Sequence, residues 1–288
     1  DCAKPLRLTG IPISWGTRII GNYGTERNFT YRVNFNWEPN SDSLLYAGVT
    51  TSYRAGGFNM GGTDNRVETQ GVAGMVYFDS EQLTAYEAGF KSSLLEGRAN
   101  LTGAVYYYDY RNYQDNVERW ETESGSFSLP AGIDAPPSRG PVQVTDNIPK
   151  AHNTGFEVDG VLLVTDALTI GANYSYTESV YDVAYTIFNE NDPRYPREIF
   201  GGDLTADPCT LDPEIASLYC LEVDGVQLSG IPQHKATGWA SYEWQLDFAT
   251  LTAFGSVAYT GEYFTNTFAR PWDEVPERKR VDARLVLD

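Results

Sequence analysis

Between Glu81 and Gln114 the sequence reads as two long strands joined at Leu95-Glu96-Gly97-Arg98, and this unit constrains the fold more than any other stretch. Successive side chains of a strand point to opposite faces. In the second strand Asn100, Thr102, Ala104, Tyr106 and Tyr108 therefore share one face, and Ala99, Leu101, Gly103, Val105 and Tyr107 share the other. Neither is a plain charged solvent face, and both are rich in small and aromatic residues. The strand also exceeds the roughly five or six residues usual in a soluble sheet.

The unit recurs. Period-two alternation predicts hairpins over 28–54, 81–114, 153–180 and 233–263, followed by a partial strand over 279–288. In the first, Phe29, Tyr31, Val33, Phe35 and Trp37 oppose Asn28, Thr30, Arg32, Asn34 and Asn36. Turns inside the hairpins are short: 38–42, 95–98, Thr165-Asp166 and Asp247-Phe248. Connections between hairpins are long, polar and rich in Gly or Pro, over 55–80, 115–151 and 181–232. Pro130, Pro136, Pro137, Pro141 and Pro149 predict no central strand in the second of these. The opening 27 residues read as loop with a short strand at Trp15 to Ile20.

Strict alternation of short turns and long loops matches a membrane-spanning barrel better than a sandwich or propeller, whose connections are of mixed length at both ends. Strand lengths agree with the roughly 9 to 11 residues that a tilted crossing requires. Turning the apolar face outward puts Arg32, Glu87, Lys91, Glu157, Asp159, Lys235, Glu243, Asp282 and Arg284 inward. No strand then shows lipid a charge at mid-depth, where Arg or Lys costs about 2 to 4 kcal/mol. Trp37, Tyr107, Tyr176, Trp244 and Tyr259 become interfacial girdle residues. The predicted fold class is all-β, a transmembrane antiparallel up-and-down β-barrel.

Composition narrows the function. A mean hydropathy of −0.38 and the absence of a run of about 18 apolar residues exclude helical spans but leave barrel strands open. A net charge of −18 opposes nucleic-acid binding. Cys209 and Cys220 flank a short polar segment, the setting of a loop-stapling disulfide in an oxidising compartment, and Cys2 has no evident mate. The opening residues lack the apolar core of a signal peptide, which reads as a removed leader or an internal piece. The segment 181–232 holds ten acidic residues against Arg194 and Arg197, which disfavours an anionic ligand there. Neither 189–193 nor 207–212 has calcium-loop spacing.

Three segments, SLLYAGVTTSYRAGGFN at 43–59, LTAYEAGFKSSLLEGRANLTGAVYYYDYRNYQ at 83–114 and IPQHKATGWASYEW at 231–244, resemble the C-terminal barrel of TonB-dependent outer-membrane receptors. The resemblance implies that 1–288 is part of one barrel domain of about 22 strands, with the plug and its TonB-contacting motif outside this sequence. It implies residence in the outer membrane of a Gram-negative bacterium, among lipid and lipopolysaccharide, coupled to the TonB complex. It implies active uptake of a scarce, bulky nutrient, first a ferric siderophore, with an oligosaccharide or corrinoid as alternatives. No cofactor, metal or covalent chemistry is expected. Candidate ligand-binding residues lie toward the outer mouth: Tyr53, Arg54, Phe58 and Asn59, then Tyr110, Tyr113 and Gln114, then Tyr181 and Tyr185.

Three other classes compete. A hydrolase needs a histidine beside a nucleophile, and the only two, His152 and His234, have no marked serine partner. A passive porin would transport without a proton gradient. A soluble all-β module would not require detergent for extraction. The predicted topology places the Glu96-Gly97 turn on the periplasmic side, opposite the Cys209/Cys220 loop.

Overall fold

A computed structural model describes residues 27–58, 77–121, 140–188, 209 and 220–288. In chain order the strands are β1 (Arg32–Asn40), β2 (Ser43–Arg54), β3 (Gly57–Phe58), β4 (Tyr77–Phe78), β5 (Glu81–Leu94), β6 (Ala99–Glu121), β7 (Gly140–Leu163) and β8 (Leu168–Tyr181). They continue as β9 (Thr186–Phe188), β10 (Cys220–Glu222), β11 (His234–Gln245), β12 (Thr250–Thr260), β13 (Tyr263–Phe264), β14 (Glu274–Val275) and β15 (Arg278–Leu287). The long strands form one antiparallel wall in the order β1-β2-β5-β6-β7-β8-β11-β12-β15, open at β1 and β15. Each joins its neighbour in sequence, the up-and-down topology that short turns dictate. The isolated strand expected at Trp15 to Ile20 lies outside the described residues.

The turns 41–42, 95–98, 164–167 and 246–249 gather at one end and are stitched there. The Arg98 guanidinium donates to the carbonyls of Leu163 and Val164 at 3.1 and 3.3 Å and sits 3.6 Å from Asp166. The Ser93 amide donates to Asp42 O at 2.7 Å, and the Glu243 amide to Ala167 O at 2.9 Å. At the opposite end, β9 pairs with β10 and touches β6 through Glu118↔Phe188. The structure joins Cys209 to Cys220 there, at a Cα separation of 5.6 Å. The Glu96-Gly97 turn and the disulfide are thus at opposite ends of the wall.

Register fixes the faces, because paired residues point the same way. One row runs Phe35↔Ala47↔Ala88↔Val105↔Phe156↔Tyr176 across six strands. The row beside it runs Asn34↔Gly48↔Glu87↔Tyr106↔Gly155↔Thr177 on the opposite face. The first is apolar and exposed, with Phe35, Val105 and Phe156 uncovered by protein. Exposed Val33, Tyr86, Val257, Val281 and Leu285 extend it into the belt expected of a lipid-facing surface. Every charge the alternation assigned to the inner face lies in rows of the polar set.

Two expectations need correction. The connection 115–151 is mostly strand: β6 runs on to Glu121, and β7 begins at Gly140 with Pro141 and Pro149 inside it. The proline rule itself survives, since β7 pairs with β8 only from Ala151 to Leu163 and, within the wall, has β6 alone on the other section. Pro149 also faces the one gap in the β6–β7 ladder, between Arg111↔Lys150 and Tyr113↔Ile148. The gap is made by Asn112, which takes a left-handed φ of 52°. That kink switches the side-chain phase: Tyr106 and Tyr110 point inward below it, Tyr113 and Val117 above it. A strand that changes phase loses its period in sequence and resembles a loop. The second correction is smaller, for 55–80 contains the β3–β4 pair and 181–232 contains β9 and β10.

Buried residues concentrate at the long-connection end. Val117, Val144, Ile148, Ala151, Tyr181, Ile187, Val223 and Leu228 form a compact core where the segments 182–188 and 220–233 lie against the inner face. Its backbone is anchored by Leu228 N to Ser179 O at 2.8 Å and Val223 N to Tyr185 O at 2.9 Å. Among the described residues, the rest of the wall has no protein core of its own.

Candidate functional site

The inner face is a shallow polar surface kept clear by aromatic rings lying flat against it. Tyr46, Tyr106 and Trp239 each lie over a glycine of the neighbouring strand. A Cβ on Gly89 would stand 2.6 Å from Tyr46 Oη, one on Gly155 2.5 Å from Tyr106 Oη, and one on Gly171 2.4 Å from the Trp239 ring. The Tyr106 hydroxyl hydrogen-bonds Thr177 Oγ1 at 2.6 Å, pinning its ring. Two hollows of about 380 and 450 Å³ result. Arg32, Asn36, Tyr46, Glu87 and Lys91 line the first, and Tyr46, Lys91, Glu157, Asp159 and Asn173 the second. Their walls mix both signs of charge with amide and hydroxyl groups, as a water-filled passage requires.

Among the expected mouth residues, the structure separates packing groups from exposed ones. Tyr181 is 1% exposed, and its hydroxyl donates to Asp115 Oδ2. Tyr113 stands edge-on between Tyr110 and Tyr181, with ring centroids 5.4 and 6.1 Å away. The Tyr185 hydroxyl donates to Asp146. These positions lie beyond the apolar outward band, which on β6 ends at Tyr107. Burial, reinforced by the negative charge of Asp115, pushes the Tyr113 and Tyr181 phenols far above their ordinary range, so both stay neutral. Gln114, 5% exposed, clamps the base of the 55–80 connection. Its Nε2 donates to Ala55 O at 2.9 Å and Asp79 O at 3.0 Å, while its amide donates to Glu81 Oε2 at 2.8 Å.

Tyr53 and Arg54 are exposed near the end of β2. Phe58 pairs through its backbone with Tyr77, and Asn59 lies outside the described residues. The candidates therefore do not converge on one surface: Tyr110, Tyr113, Gln114, Tyr181 and Tyr185 build a supported platform, and Tyr53 and Arg54 stand apart at its edge. Sequence reasoning passed over Asp115 and Asp146, the acceptors that hold the platform tyrosines. Asp115↔Asp146 are directly paired across β6 and β7, a relation visible only once the phase switch at Asn112 is known.

His152 and His234 both turn outward. His152 Nδ1 lies 2.8 Å from Asp182 Oδ2, with its ring against Tyr107, and His234 Nδ1 lies 2.8 Å from Tyr174 Oη. Among the described residues neither hydrogen-bonds a serine.

An open antiparallel wall with an apolar outer belt, a mixed polar inner face and long connections at one end is the geometry of a large outer-membrane barrel. Residues 14–288 match the family described as TonB dependent receptor-like, beta-barrel. The chain belongs to that family. It is accordingly an outer-membrane β-barrel protein of a Gram-negative bacterium. It is 22% identical over 254 residues to the probable TonB-dependent siderophore receptor PiuA of Acinetobacter baumannii, covering 88% of this chain and 27% of that protein. The crystal structure of that organism's siderophore receptor PiuA superposes with a TM-score of 0.54 at 21% identity, over 88% of this chain and 28% of the other. The ferric yersiniabactin uptake receptor FyuA of Yersinia pestis superposes with a TM-score of 0.56 at 14% identity, over 88% and 29%. This TonB-dependent receptor segment thus spans between a quarter and a third of the length of these relatives, and at such identities the structural likeness concerns the fold.

Proposed function

We propose that the chain forms part of the barrel of an active outer-membrane receptor that takes up a ferric siderophore, energised through TonB. The observation that carries this reading is the inner face: charged and amide-bearing from end to end, with its rings laid flat over glycines, it suits a wide wet passage. Family membership and the siderophore receptors among its relatives support the nutrient class. In this reading the platform around Tyr113 and Tyr181 holds the outer connections in place, and Tyr53, Arg54, Phe58 and Asn59 meet the ligand at the mouth. The chain supplies no nucleophile or metal chemistry, because capture and release require only reversible contacts. The barrel's lipid and lipopolysaccharide surroundings and the TonB complex are its proposed partners.

Uptake of radiolabelled ferric siderophores by cells expressing the full-length receptor tests this. Uptake should saturate and stop when a protonophore collapses the proton gradient. Persistence of uptake under the protonophore would mark a passive porin, and its absence for every ferric chelate would reject the nutrient class.

A further inference from the structure

On the outward side the row Phe35↔Ala47↔Ala88↔Val105↔Phe156 dips in its middle, because β2 and β5 carry alanine where β1, β6 and β7 carry larger groups. The rows on either side are bulky on those same two strands: Val49↔Tyr86 toward the outer end and Leu45↔Phe90 toward the turns. Phe90 does not lean into the dip, since its ring lies across Gly103 of β6, where a Cβ would stand 2.6 Å from it. A hollow of about 800 Å³ results, with Ala47 and Ala88 exposed on its floor and Phe35, Tyr86, Val105 and Tyr107 on its rim. Three strand spacings, about 14 Å, separate β1 from β6, and four residues along the strand, about 13 Å, separate the two bulky rows. Beyond Tyr86 and Tyr107 the next outward row, Thr84↔Asp109↔His152, is polar. The hollow therefore lies at the outer end of the apolar band.

We propose that this hollow holds a saturated acyl chain of lipopolysaccharide as a fixed ligand of the receptor. The belt around it is continuous with the lipid-facing surface, so its occupant comes from the membrane. Its place at the outer end selects the outer leaflet, where lipopolysaccharide resides. Burial of apolar surface does not distinguish one lipid contact from another there, since chain and wall are both apolar; packing does. On a convex stretch of wall a chain touches protein along one side. In the hollow it touches the alanine floor and the rings beside it at once, and each added contact at van der Waals distance counts. A second barrel cannot take its place, because another convex wall would rest on Phe35 and Val105 without reaching the recessed floor. A flexible chain can. The inference rests on the lipid surroundings proposed above and not on the uptake reading; it adds where on the wall a lipid is held and by which part.

The test uses the full-length receptor, delipidated in detergent and titrated with lipid A or with dipalmitoyl phosphatidylethanolamine, with bound lipid counted by native mass spectrometry. Lipid A should be retained, and the phospholipid should bind more weakly. Ala47→Leu with Ala88→Leu fills the hollow from its floor and should weaken lipid A about tenfold or more. Val257→Phe with Val281→Phe, on the same outward face but far from the hollow, should leave its affinity unchanged. Failure to retain lipid A, unchanged affinity in the alanine double variant, or equal weakening in the valine one would overturn the site. Retention of the phospholipid as tightly as lipid A would overturn the choice of lipopolysaccharide. Energised uptake of ferric chelates is scored separately: a wild-type receptor that holds lipid A but transports no chelate bears on the transport reading alone, and one that transports but holds no lipid A bears on this inference alone.

Discussion

Replacing Gly155 with Ala tests whether the inner face is built by laying rings across glycines. The new Cβ would stand 2.2 Å from the carbonyl oxygen of Tyr176 and 2.5 Å from Tyr106 Oη. The first contact is with backbone, so the β7–β8 ladder must open locally, an overpacking cost of about 1 to 3 kcal/mol. The second displaces the Tyr106 ring and breaks its 2.6 Å hydrogen bond to Thr177, worth about 1 kcal/mol. Stiffening of the unfolded chain returns about 0.4 to 1 kcal/mol, leaving a net loss of about 1 to 3.5 kcal/mol. Gly238→Ala is the control, since a Cβ there meets nothing within 4 Å and only the unfolded-chain gain remains. Urea unfolding of the full-length receptor in lipid vesicles, followed by tryptophan fluorescence, should show a lower midpoint for Gly155→Ala and an equal or higher one for Gly238→Ala. Equal midpoints for Gly155→Ala and wild type would refute the packing argument.

Gln114→Leu removes the donor shared by Ala55 O and Asp79 O in a buried setting, costing about 1 to 3 kcal/mol, and should speed amide hydrogen exchange at the β3–β4 pair while leaving β11 and β12 unchanged. Tyr181→Phe keeps the ring but leaves Asp115 without its phenol donor, and should lower stability by about 1.5 to 3 kcal/mol in the same urea assay. For Asp182, burial pushes the carboxyl up, but hydrogen bonds from His152 and Lys150 outweigh it and hold the group below its ordinary 3.8. A depressed folded value means that the contribution is fully present above that ordinary value and fades as pH falls through the folded one. The stability gap between wild type and Asp182→Asn should therefore be constant near neutrality and close on acidification, and a gap that widens below pH of about 4 would contradict the ion-pair assignment.

The parts of the fold legible in sequence were those whose side chains keep one phase. In β2 a single alternation from Ser43 to Arg54 marks both faces and both ends, because one face meets lipid and the other water throughout. The turns at 95–98 and 164–167 were equally plain, since nothing but a tight connection separates two long periodic runs. The outer halves of β6 and β7 were not legible. There a left-handed Asn112 reverses the phase and prolines occupy positions with a ladder on one side only, so local rules that hold in isolation pointed to a loop. The candidate site was legible in location more than in role. Tyrosines at the ends of strands do mark the outer end, but whether a phenol faces a ligand or an aspartate depends on how the segments 182–188 and 220–233 pack against the wall, which no local pattern encodes. Tyr181 shows the difference: its period places it on the inner face, and only the returning chain buries it.

The central claim is that one face of this wall meets lipid and the other a wet lumen. Spin labels at single cysteines along β6, in the full-length receptor in liposomes, test it through collision with oxygen, which partitions into lipid, or with a water-soluble nickel chelate. Positions 101, 105 and 107 should favour oxygen, and positions 102, 104 and 108 the chelate, in strict alternation. Equal accessibility of both sets to the chelate would contradict it.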